Sequence, residues 1–158
     1  IIFFVLLAIM KNRPDRFAYS LYLVVSSFLV CYLIFVFFPV AGPQYYFKNT
    51  ASPLPEGYLF SYLMHIIEQT AERPTAAFPS SHVGISLLML WLAWKYVRKA
   101  FYYVLPFAVL LIISTIYLRA HYVVDVLAGA AAFPLLLLLG NKSYFLLTRS
   151  GFQIIRDT

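Results

Sequence analysis

Between Phe17 and Val40 the chain runs for 24 residues without a charged side chain. A helix that crosses the hydrocarbon core of a bilayer needs about 20 predominantly apolar residues. Three more apolar runs follow, His82–Val97, Phe101–Leu118 and Tyr122–Leu139, the last interrupted only by Asp125. They mix Leu, Ile, Val, Phe and Ala without two-residue alternation, which argues for helices over barrel strands. Pro106 and Pro134 fall inside two of the runs. Membrane helices tolerate such prolines because neighbouring groups satisfy the freed backbone. Ile1–Met10 is apolar but too short to span, so it reads as the end of a further spanning helix. A signal peptide would have basic residues ahead of that run. The expected fold is all-α: one domain over residues 1–158, a polytopic transmembrane bundle of about five helices, the first incomplete.

Composition agrees. Hydrophobic residues make up 63% of the 158 and charged residues 11%, against roughly 25% charged in soluble domains. The formal net charge of +6 does not point to nucleic acid, because the basic residues are scattered between apolar runs. Membrane orientation explains them better. If the helices alternate in direction, one side carries Lys11, Arg13, Arg16, Lys95, Arg98, Lys99, Lys142, Arg149 and Arg156, nine basic residues. The other side carries three, Lys48, Arg73 and Arg119. Lys and Arg collect on the cytoplasmic side. The polar, proline-rich segment Ala41–Ser81 is therefore expected to face outward and to cover a site as a lid. Cys31 is the one cysteine, so no intrachain disulfide forms, and it reads as a small buried hydrophobe.

Two clusters on the outward side carry chemistry. Pro79-Ser80-Ser81-His82 opens an apolar run. A serine-rich turn at a helix start offers free backbone N–H groups and a positive dipole end, which suit a phosphate. It equally suits an ordinary N-cap by Ser80 or Ser81. A protonated His82 beside a bound phosphate is placed to donate to a leaving oxygen. The second cluster is His121 and Asp125, four apart and so on one face of a helix. Asp125 can accept from one imidazole nitrogen and leave the other free as nucleophile or base. The bland reading is a structural His–Asp pair at the interface. No carboxylate cluster or His/Cys spacing suggests a metal site, and no cofactor is expected.

Together these clusters resemble the type 2 phosphatidic acid phosphatase superfamily of membrane lipid phosphatases and phosphotransferases. Its second motif is similar to Pro79-Ser80-Ser81-His82, with Ser81 in place of glycine. Its third motif, Ser-Arg, five residues, His, three residues, Asp, matches at Ser114, His121 and Asp125. The following Asp125–Gly129, "DVLAG", is also typical. Of the first motif only Arg73-Pro74 matches; Ile66 stands where it has Lys, and Thr115 stands where the third motif has Arg. The resemblance implies that His121 attacks phosphorus to form a phosphohistidine, Asp125 orients it and His82 protonates the leaving group. Arg73, Ser80 and Ser81 would hold the phosphate oxygens without a metal. Arg119 is a candidate substitute for the missing cations. Residues two apart on a helix do not share a face, so Arg119 serves only if the chain is not helical there. "RAHYVVD" looks more like the branch that includes inositol phosphorylceramide and sphingomyelin synthases, which leaves hydrolysis of a lipid phosphate and headgroup transfer both open. A transporter or an inactive relative is the non-enzymatic alternative.

The other polar residues read more plainly. His65 lies in an amphipathic stretch at the membrane surface. Tyr45 and Tyr46 read as interfacial anchors, and Lys48 as a candidate displaced phosphate ligand.

Overall fold

The computed structural model describes residues 1–46 and 77–156. Arg73, Lys48, His65 and most of the expected lid lie outside the described residues. Among the described residues five helices make up the bundle: α1 (Ile2–Asn12), α2 (Pro14–Phe37), α3 (Ser81–Tyr96), α4 (Arg98–Tyr117) and α5 (Val123–Arg156). A single helical turn, Pro43–Tyr46, follows α2. Among the described residues three stretches are long and apolar enough to cross a membrane: Pro14–Phe37, Arg98–Tyr117 and Val123–Thr148. The protein is an all-α membrane bundle.

The joints are tighter than the charge pattern suggests. Arg13 alone separates α1 from α2, with non-helical dihedrals of φ −143° and ψ 67°. Pro14 causes this break: a proline disfavours helical dihedrals in the residue before it and fits the first helical position itself. Asp15 then sits in the first turn of α2, where a carboxylate complements the helix dipole. It pairs with Arg13 at 3.3 Å and Arg16 at 3.0 Å. A second one-residue joint, Val97, separates α3 from α4. Lys95, Arg98 and Lys99 are therefore on helix ends, not in a loop.

The shortest of the helices after α1 is the central one. α3 has 16 residues and touches α1, α2, α4 and α5. Ile85, Leu88, Met89, Leu92 and Ala93 are buried in a core with Val5, Ile9, Leu23, Val24 and Val104. A helix that is apolar all round belongs inside. The outer helices turn large apolar side chains away from that core, among them Leu29, Leu33, Phe107, Leu110, Leu127, Leu135 and Leu138. So extensive an apolar exterior suits lipid as its solvent.

Where α5 crosses α3, Gly129 is required. A Cβ there would lie 2.4 Å from the Ser80 carbonyl oxygen and 3.1 Å from Val83 Cβ. Small residues let membrane helices approach closely, and this one brings the α5 start against the α3 start. The two ends of the bundle are tied differently. At the basic end Tyr22 Oη donates to Ser143 Oγ at 2.9 Å, Tyr19 bonds Asn141, and Tyr19 meets Tyr96 and Tyr144 edge-on. At the opposite end the Ala77 N–H donates to the Val40 carbonyl at 3.0 Å, and the Ser80 N–H to the Asp125 carbonyl at 3.0 Å.

Candidate active site

The opposite end is where the two clusters meet. α4 stops at Tyr117, and residues 118–122 form a turn before α5. Arg119 holds φ at 58°, the left-handed position that usually ends a helix with glycine. The turn is fastened by N–H groups of Leu118 to Ser114 O (2.8 Å), Arg119 to Ile116 O (3.0 Å) and His121 to Thr115 O (3.1 Å). The condition set for Arg119 is thus met: the chain is not helical between it and His121.

His121 itself precedes α5, so it does not share a helical face with Asp125 as the spacing implied. The turn brings the two together anyway, with Nδ1 and Oδ2 3.8 Å apart. The imidazole's short hydrogen bond goes elsewhere, from Nδ1 to the Ala77 carbonyl at 2.8 Å. A carbonyl only accepts, so Nδ1 carries the proton and Nε2 of the neutral ring presents its lone pair. The tautomer is set by a backbone oxygen, not by Asp125. The Asp125 carboxylate instead takes the Tyr122 N–H at 2.8 Å. It stands third in α5 and reaches back to the residue before the helix, half of a capping box. Its charge remains beside the ring. Both side chains are buried, His121 at 6% and Asp125 at 1% exposure.

His82 comes from the first turn of α3 and is exposed. Its Nδ1 lies 3.5 Å from His121 Nε2, the rings tilted at 62° with centroids 5.7 Å apart. Thus the residues expected as nucleophile and acid, 39 positions apart, face each other directly. Ser80 precedes α3 with extended dihedrals and makes no side-chain cap bond. Its backbone is engaged, the N–H with Asp125 and the carbonyl with the Gly84 N–H at 3.1 Å. Its hydroxyl is buried and, among the described residues, lacks a hydrogen-bond partner, as does that of Ser27 in α2. An orphaned buried hydroxyl costs about 1–3 kcal/mol. Ser80 stands two residues before His82. Ser81 is the first residue of α3 and is half-buried.

Thr115, standing where the third motif has arginine, is buried. Its Oγ1 bonds back to the Ile112 carbonyl at 2.7 Å, and Ser114 Oγ bonds back to Leu111 at 2.8 Å. Neither hydroxyl is directed at the histidines. Two contributors escaped the reading of the sequence. Ala77 acts through its carbonyl, for which an alanine side chain gives no signal. Gly42 lies against the turn: a Cβ on it would meet the Ala120 carbonyl at 2.5 Å. The "AGP" around it was the available hint.

The described residues thus gather a histidine pair, an acid and a helix start at one end of a bundle of spanning helices. The PAP2 superfamily model matches residues 1–139, and the chain belongs to that superfamily, whose members are generally phosphatases. It is similar to a PA-phosphatase related-family protein of Dictyostelium discoideum, 31% identical over 122 residues. The match covers 74% of this chain and 22% of that protein. No solved structure matches the chain.

Proposed function

We propose that the protein is an integral-membrane lipid phosphatase that hydrolyses a phosphomonoester or diphosphate of a lipid through a phosphohistidine at His121. The observation that carries this reading is the histidine pair, with the His121 proton held on Nδ1 by Ala77 and the Nε2 lone pair facing His82. Nε2 attacks phosphorus, the bond from phosphorus to the lipid oxygen breaks, and His82 gives its proton to that oxygen. His82 then takes a proton from water as the water oxygen attacks phosphorus. The N–P bond breaks, phosphate leaves and the lone pair returns to Nε2. Splitting the displacement in two lowers each barrier. The charge near His121 from Asp125 favours the cationic ring that forms on phosphorylation.

The pair must part for this chemistry. Reacting atoms sit about 3–3.5 Å apart before attack, and an acid needs a further 2.6–3.2 Å or so to its oxygen. A gap of 3.5 Å holds neither the phosphoryl group nor its leaving oxygen, so the substrate phosphate displaces exposed His82 while buried His121 stays. Arg73, Ser80, Ser81 and Arg119 are the groups proposed to hold the phosphate oxygens. Such positioning and charge stabilisation suffice for phosphoryl transfer at a site without a metal. The site faces the extracytoplasmic side, opposite the basic end.

The "RAHYVVD" motif supports transfer to a second lipid as the other reading, since water and a lipid alcohol use the same residues. The test supplies purified protein with radiolabelled lipid phosphate, alone and with ceramide or diacylglycerol. Free phosphate released without a lipid acceptor supports the phosphatase. Label found only in a second lipid favours the transferase, and no turnover under either condition removes both.

A further inference from the structure

The gap that excludes a phosphoryl group fits a metal ion. Zinc binds imidazole nitrogen at about 2.0–2.1 Å in tetrahedral geometry, which places two ligand nitrogens about 3.3 Å apart. His121 Nε2 and His82 Nδ1 are 3.5 Å apart, so a change of about 0.2 Å makes them two corners of that tetrahedron. His121 is also prepared as a ligand. Metal-binding histidines donate their other ring N–H to a carbonyl or carboxylate, which fixes the tautomer and raises basicity. Here Nδ1 donates to Ala77 O at 2.8 Å, with the Asp125 carboxylate 3.8 Å away.

We propose that the resting His82–His121 pair is an inhibitory site for zinc or a similar imidazole-seeking divalent cation. His121 binds through Nε2 and His82 through Nδ1, with the His82 proton carried on its Nε2. Among the described residues there is no group of three or more His, Cys, Asp or Glu side chains that could hold a metal. The protein thus contributes two ligands from these residues, and water or an anion fills the remaining corners. This is the pattern of a reversible blocker, not of a structural zinc. The metal occupies the lone pair that the proposed phosphatase reaction requires and closes the gap that phosphate must open. The inference rests on the geometry of the pair; its inhibitory consequence rests on the proposed function.

The experiment titrates the purified full chain in detergent with Zn²⁺ by calorimetry, and with Co²⁺ by visible d–d absorption. One bound ion per chain is expected, with tetrahedral Co²⁺ bands. Losing an outer partner of a metal site costs roughly 10–100-fold in affinity, so removing a ligand in His82→Ala or His121→Ala should weaken binding by at least as much. His82 is exposed, so His82→Ala tests the site even if the buried His121→Ala variant misfolds. Orthovanadate should block Zn²⁺ uptake, and Zn²⁺ should inhibit competitively with the lipid phosphate. Absent binding overturns the proposal, as does full-affinity binding in His82→Ala, for instance through His65. Histidine-dependent binding by a protein with no hydrolytic activity keeps the metal site and removes the phosphatase. Activity that needs His121 but ignores zinc does the reverse.

Discussion

Arg119 occupies a backbone conformation that costs an ordinary side chain roughly 1–2 kcal/mol. Strained residues of this kind cluster where function requires them. Arg119→Gly removes both the strain and the guanidinium. It is expected to weaken catalysis through a higher KM, with the protein still folded. Thermal melting and steady-state kinetics on one preparation check this, and an unchanged KM would remove Arg119 from the phosphate site. At the histidines, His121→Ala should abolish turnover. His82→Ala should lose about 10²–10⁴-fold on a lipid phosphate, the usual contribution of a general acid. In the phosphohistidine-forming step, read by single-turnover kinetics, the loss should be much smaller with p-nitrophenyl phosphate, whose leaving group needs no proton. Equal losses in that step on both substrates would take the acid role from His82. Asp125→Asn keeps an acceptor for the Tyr122 N–H, so it should reduce kcat severely with little change in melting temperature.

Helix α3 places Ser80 and His82, and its position depends on the crossing with α5. Gly129→Ala drives a Cβ into the Ser80 carbonyl at 2.4 Å, a backbone atom that moves only with the helix start. Misplacement by about 1 Å costs on the order of 10²-fold in rate, and a loss of that order is expected. Gly84→Ala lies at the same crossing but meets the Gly129 carbonyl at 3.3 Å and the flexible Leu136 Cδ1 at 3.5 Å. It should retain most activity. Assaying the two variants side by side separates a site displaced through α3 from a general loss of packing, and equal losses would contradict the displacement.

At the scale of the molecule, the basic end and the histidine end are opposite each other. On the orientation proposed above, which follows the positive-inside rule, the histidine end faces away from the cytoplasm. Ala41→Cys, on an exposed residue just after α2, should react with a membrane-impermeant maleimide added outside intact cells. Arg98→Cys should react only after permeabilisation. Native Cys31 is buried and should stay silent in both. The opposite labelling pattern would reverse the orientation.

Length and composition of the apolar runs determined by themselves that the chain is a helical membrane bundle, because a bilayer accepts little else in 24 uncharged residues. The spacing from His121 to Asp125 is equally local, so the closeness of that pair was legible without a structure. The partners of those residues were not. Asp125 was the evident acceptor for His121 by spacing, yet the ring bonds a carbonyl 44 positions away. Every residue carries such a carbonyl, so no side chain announces it. The 3.5 Å between His82 and His121 follows from how closely α3 and α5 approach at Gly129. That approach decides whether the gap admits a phosphate or a metal ion, and it depends on the packing of two helices rather than on the identity of either histidine.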